Sequence, residues 1–128
     1  CDNEGAPMGY YNGRDKVMVV CQDNKITGTD KIVDWTDNDL DTIRHEAHHI
    51  VQDCMDGTLD GGLESFFNGE ELVTFLAGYP DWKENAIADT YRKDGASSHV
   101  ILLEIEAWAV ADTVDASSIS TAIKQVCN

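Results

Sequence analysis

The sequence predicts a mainly α-helical domain with a small β element, an α+β arrangement stapled by disulfides. Three observations carry this expectation: strong helix signals over residues 36–57, a second long apolar segment near 97–114, and four cysteines in 128 residues. A chain of this length predicts one domain over 1–128, and 42% hydrophobic residues with three tryptophans predict a folded core.

The first stretch, CDNEGAPMGYYNGRD, is rich in Gly, Asn and Asp and reads as loop. Residues 16–22, KVMVVCQ, are β-branched and apolar between polar turn residues, and read as a strand. DWTDNDLDTIRHEAHHIVQDCMDG is the clearest helix. Thr36 or Asp37 can cap it, and Asp37, Asp39 and Asp41 crowd the first turn, where the helix dipole favours anions. Leu40, Ile43, Ala47, Ile50 or Val51, and Cys54 recur at three- and four-residue steps as its apolar face, and Gly57 is a stop. After the turn-rich LDGGLESFFNG, short helices are expected at 70–77, ending at Gly78, and at Asp81–Lys93, ending at Gly95. Ser97 or Ser98 then caps the apolar helix HVILLEIEAWAVADTV, and a last helix covers 117–126.

The net charge of −15, from 24 acidic and 9 basic residues, argues against binding nucleic acid. It predicts an acidic, solvated surface or attraction to basic partners. No apolar run is long enough to span a bilayer, and the chain opens without a charged-then-apolar leader, so any signal peptide is expected to have been removed. Cys1, Cys21, Cys54 and Cys127 show no C-x-x-C spacing, which disfavours a zinc knuckle or redox motif and favours two disulfides in a secreted or otherwise extracytoplasmic protein. Of the three connectivities, Cys21–Cys54 with Cys1–Cys127 is the expected one. It would staple the strand to the long helix and tie down both termini, each bond contributing about 3–5 kcal/mol.

His45-Glu46-Ala47-His48-His49 satisfies H-E-x-x-H. Residues four apart share a helix face, so His45 and His49 can bind one zinc ion, leaving Glu46 beside it to move protons. Such a metal would acidify a water and polarise a scissile carbonyl, with Glu46 as general base and then acid. His48 points elsewhere around the helix and is expected to be hydrogen-bonded or partly exposed rather than a ligand. The extended motif with a third histidine is excluded, because Gln52 and Met55 stand where Gly and His are needed.

A catalytic zinc needs a third protein ligand. Glu104 and Glu106 lie in an otherwise apolar helix, where an unpartnered carboxylate would be costly. They are about 200° apart around that helix, so at most one is expected to be well aimed.

H-E-x-x-H followed by E-x-E-A on a second helix resembles the gluzincin zinc metallopeptidases. It is most similar to the minigluzincins and to the membrane CaaX-type and repressor-cleaving relatives. The resemblance spans two short segments, about a fifth of the chain. It implies a compact zincin-like domain with an active-site helix and a glutamate helix, in which Glu104 is the ligand and Ala107 lets the helices pack closely. Glu106 becomes either a residue that supports the ligands from behind or a surface residue. Many relatives place Asp or Asn four residues after the ligand glutamate, where this chain has Trp108, so another group must orient the histidines; Asp112 is a candidate. A second resemblance, of Gly57-Thr58-x-Asp60 to the G-T-x-D element of aspzincins, makes Asp60 the alternative ligand, although the downstream tyrosine-glycine part is missing.

Tyr91 and His99 are candidates to stabilise an oxyanion. The strand Val17–Val20 is a candidate to offer backbone groups at its edge to an extended peptide. Trp35, Trp82 and Trp108 read as core. The expected protein is a monomeric zinc peptidase with a peptide or protein substrate and a single catalytic Zn2+. Its rivals are a non-catalytic secreted module with a structural metal and an acidic binding protein for basic partners.

Overall fold

A computed structural model describes Cys1 and residues 7–127. The part of the predicted N-terminal loop at 2–6 lies outside the described residues. Among those described, the chain is mainly helical with one two-stranded sheet and two disulfides. Strands β1 (Gly9–Asn12) and β2 (Val17–Val20) form an antiparallel hairpin with Gly9 opposite Val20 and Asn12 opposite Val17. Five helices follow: α1 (Asp37–Cys54), α2 (Gly69–Leu76), α3 (Asp81–Lys93), α4 (Ser98–Thr113) and α5 (Ala116–Val126). β1 falls inside the stretch read as loop. Its GYYN sequence is short and glycine-bearing, and its pairing comes from β2 rather than from its own propensity.

Helix α1 is the central element and packs against α4, α5 and both strands. Thr36 caps it through a reciprocal box: its hydroxyl accepts from the Asp39 N–H at 3.1 Å, and Asp39 accepts from the Thr36 N–H at 3.0 Å. Asp39 also accepts from the Asp23 N–H at 2.9 Å, which docks the segment leaving β2 onto the start of the helix. Helix α4 starts at the Ser97 cap and buries Ile101, Leu103, Ile105, Ala107, Ala109 and Val110. Full burial of Leu103 or Ile105 is worth about 1.5–3 kcal/mol each.

The buried face of α1 departs from the expected apolar stripe. Leu40 is 42% exposed, whereas Asp39, Thr42, His45, Glu46, His48, His49, Gln52 and Asp53 are buried. Polar partners rather than apolar periodicity decide which side turns inward, because each of these groups is costly to bury unpaired. Asp53 shows the pattern. It accepts from the Tyr11 hydroxyl at 2.6 Å and from the Gly61 N–H at 2.9 Å, joining the hairpin and the 56–62 turn to the helix. The hairpin also lies close against α1 at Gly9, where a Cβ would come within 2.6 Å of Thr42 Cγ2.

The disulfides pair differently from the expectation of Cys21–Cys54 and Cys1–Cys127: they are Cys1–Cys21 and Cys54–Cys127. The hairpin explains the first. The Cys21 N–H donates to the Met8 carbonyl at 2.7 Å, so the chain entering β1 runs beside the residue leaving β2. The second follows from α5 packing on α1, which brings the C-terminal ends of the two helices together, with Cα atoms of Cys54 and Cys127 5.1 Å apart.

The N-cap makes a pH-dependent contribution. The Thr36 N–H, aided by the Asp23 N–H, holds the Asp39 carboxyl below its ordinary 3.8 despite burial. A depressed carboxyl pKa stabilises the fold above the unfolded value, and that stabilisation is lost as pH falls through the folded value. Asp39→Asn is therefore expected to lower the melting temperature at pH 7, with the gap from the parent closing below about pH 4. Melts across pH 2–8 check it; a gap that persists unchanged at pH 2 would contradict the assignment.

Candidate metal centre

Three residues of α1 and one of α4 build the site. His45 and His49 are one turn apart, and their Nε2 atoms approach to 3.1 Å. Glu104 reaches across from α4: one oxygen lies 3.1 Å from His45 Nε2, the other 3.3 Å from His49 Nε2. Glu46 flanks them, 4.0 Å from His45 Nε2. His45, Glu46 and His49 offer ligand atoms within 4.8 Å of one another and could hold a metal ion. The Glu104 oxygens lie nearer to the two nitrogens than Glu46 does.

The donor set fits a tetrahedral ion. Ligands about 2.0–2.1 Å from a tetrahedral centre are about 3.3 Å from each other, close to the separations found here. Among the described residues, Glu104 Oε2 is buried with only the His45 ring nitrogen beside it, and His45 Nδ1 is buried without a hydrogen-bond partner. A cation at the convergence point would relieve the first of these.

Electrostatics agree with that arrangement. Burial opposes ionisation of Glu104, but hydrogen bonds to His45 and His49 outweigh it and hold its carboxyl well below the usual range. Burial likewise opposes charging His49, yet Glu104 raises its pKa, whereas burial dominates at His45 and lowers it. Glu46 is pushed up to about 7 by burial, against the opposing pull of His49 and of the Tyr11 backbone.

A cleft of about 380 Å³ opens over this centre. His45 and Glu46 line it together with Met8 and Gly9 from the hairpin side, Ile87 and Tyr91 from α3, and Trp108 from α4. Trp108 lies against His45, ring centroids 4.0 Å apart, and its indole N–H donates to the Tyr91 hydroxyl at 3.2 Å. Trp108, where the metallopeptidases that the sequence resembles carry a polar residue, thus lies tilted against a histidine ring. Burial and the Glu104 charge hold the Tyr91 hydroxyl above its ordinary pKa, so it stays a donor at neutral pH.

The other candidates separate clearly. His48 is buried and hydrogen-bonded, as expected, donating from Nε2 to Glu106 at 2.7 Å. Glu106 is fully buried, which overturns a surface role for it. It accepts from His48, from the Gln52 amide at 3.1 Å, from the Phe66 N–H at 2.9 Å and from the Ser65 hydroxyl. Both glutamates of E-x-E are therefore aimed at α1, because their length lets each reach a different row of that helix: His45 and His49 for one, His48 and Gln52 for the other.

Asp112 does not orient a histidine; it accepts from the Tyr79 hydroxyl at 2.5 Å. Asp60 is exposed, its side chain accepting from the Gly62 N–H at 2.9 Å in a local turn, and it does not join the histidines. His99 is exposed and meets the Leu63 carbonyl at 3.3 Å, away from the cleft. The strand that lines the cleft is β1, through Gly9, and not Val17–Val20. Trp82 is 68% exposed and Trp35 53%, so neither is core. The residue overlooked in the sequence is Gln52, whose Oε1 lies 2.7 Å from His49 Nδ1. Its position three residues after a candidate ligand histidine, on the same helix face, was the available signal.

Compared with family models, curated proteins and solved structures, the chain matches none. No described helix is long and apolar enough to cross a membrane.

Proposed function

We propose that the chain is a zinc-dependent peptidase of gluzincin type with a zincin-like fold, in which His45, His49 and Glu104 hold the metal and Glu46 moves the protons. One observation carries this reading: three donor groups converge at 3.1–3.3 Å with the Glu46 carboxylate beside them, and His45 and Glu46 line an open cleft. Zinc, when bound, supplies Lewis acidity that polarises a carbonyl and makes a water reactive at neutral pH. Glu46, with a pKa near 7, suits both halves of the proton transfer, accepting from the attacking water and donating to the leaving amine. The Tyr91 hydroxyl, on the wall of the cleft, is placed to donate to the developing oxyanion. Met8, Ile87 and Trp108 form an apolar wall that excludes water from the reacting bond. The two disulfides support a secreted or otherwise extracytoplasmic location.

Metal analysis and a peptide-library digest test the proposal together. The expected result is one zinc per chain, cleavage that stops on chelation, and recovery on adding zinc back. Stoichiometric zinc with no cleavage of any peptide would favour a second reading, a structural site closed by four protein ligands. The nearness of Glu46 to His45 supports that rival, since Glu46 would be the fourth ligand. Absorption-edge spectroscopy on the zinc-loaded protein separates the two by counting protein ligands.

A further inference from the structure

We propose that Gln52 holds a proton on Nδ1 of His49, so that the Nε2 lone pair is kept for the metal, and that Glu106 is the group that fixes Gln52 in this role. The inference rests on the metal reading above for its consequence, but its hydrogen-bond chain stands on the geometry alone. The Gln52 amide nitrogen faces two acceptors, the Leu103 carbonyl at 3.0 Å and Glu106 Oε1 at 3.1 Å. Flipping the amide would set its oxygen against both, which leaves one orientation. In that orientation Gln52 Oε1 faces His49 Nδ1 at 2.7 Å, and an oxygen can only accept, so Nδ1 carries the hydrogen.

The chain is anchored at its far end. Glu106 is fully buried and accepts from His48, from the Ser65 hydroxyl and from the Phe66 N–H, which fixes its position. Its Oε1 accepts from the Gln52 amide N–H, which holds that amide with its oxygen turned to His49. Gln52 is itself fully buried, so water does not substitute for it. A metal-ligating histidine usually has its second nitrogen engaged in this way, and loss of such a partner typically weakens metal binding about 10–100-fold. His45 has no equivalent: its Nδ1 is unpartnered and its ring is braced by Trp108. The burden of orienting the site thus falls on one histidine. Gln52 is a positioning residue, acting through His49.

The test begins with the metal-free parent protein. Imidazole nitrogen–proton correlation spectra are expected to show a slowly exchanging Nδ1–H on His49, and this signal is expected to vanish in Gln52→Met. Zinc affinity, read by competition with a chromophoric chelator well below the melting temperature, is expected to fall about 10–100-fold in Gln52→Met. Absence of the Nδ1 proton in the parent overturns the inference, even if the variant fails to fold. An unchanged zinc dissociation constant in folded Gln52→Met also overturns it. Failure of the parent to bind zinc overturns the metal reading and the affinity claim with it, while the Nδ1–H signal separately reports whether the hydrogen-bond chain exists.

Discussion

Glu46→Gln is expected to reduce peptide hydrolysis by at least about 10²–10⁴-fold, the usual range for removing a general base, while zinc stays bound at one ion per chain. The substitution keeps shape and volume but removes the lone-pair base beside the converging ligands. It also separates chemistry from folding. Burial raises the Glu46 carboxyl from 4.5 to about 7, so its charged form is disfavoured in the folded state, and that penalty grows as pH rises from the unfolded value to the folded one. A neutral amide escapes the penalty, and the variant is expected to melt no lower than the parent at pH 7–8. Turnover by a zinc-loaded, folded Glu46→Gln protein at the parental rate would sink the mechanism.

Removing Cys54–Cys127 is the second large effect. The bond closes a 73-residue separation against 20 for Cys1–Cys21. Loop-closure entropy assigns about 4.5 kcal/mol to the first and about 3 kcal/mol to the second. A domain of this size commonly has only about 5–15 kcal/mol in total, so loss of the longer link is expected to leave the fold marginal. The position of the bond adds to this. It ties α5 to the C-terminal end of α1, one residue after Asp53, whose carboxylate gathers the hairpin and the 56–62 turn. Urea titrations of the two double-alanine variants decide the matter, and equal or reversed midpoints would contradict the ranking.

What was legible in the sequence was local. Asp81–Lys93 lies where the sequence places it, and Thr36 and Ser97 are each one of the two caps the sequence offered, because capping needs only residues within a turn of each other. The pairing of His45 with His49 follows from helix spacing, and the cost of an isolated carboxylate in an apolar helix pointed to Glu104 or Glu106. Only the resemblance to gluzincins chose Glu104, which does approach both histidines. What could not be read depends on how distant elements pack. The cysteines paired along routes set by the hairpin and by α5, not by the advantage of tying the termini together. The burial of Glu106 needed the loop at 65–67 to supply donors, and nothing near Glu106 in sequence announces them. The inward face of α1 was misjudged for a related reason: apolar periodicity assumes that polar groups seek water, and here they find one another.

That inward polar face has a thermal consequence. The heat-capacity change of unfolding grows with exposed apolar surface and shrinks with exposed polar surface. Among the described residues, nine buried polar or charged ones stand beside eleven buried apolar ones, several of which are alanines. The heat-capacity change per residue is therefore expected to be small and the stability curve flat, with cross-links and hydrogen-bonded carboxylates taking part of the role that water release plays in an oilier core.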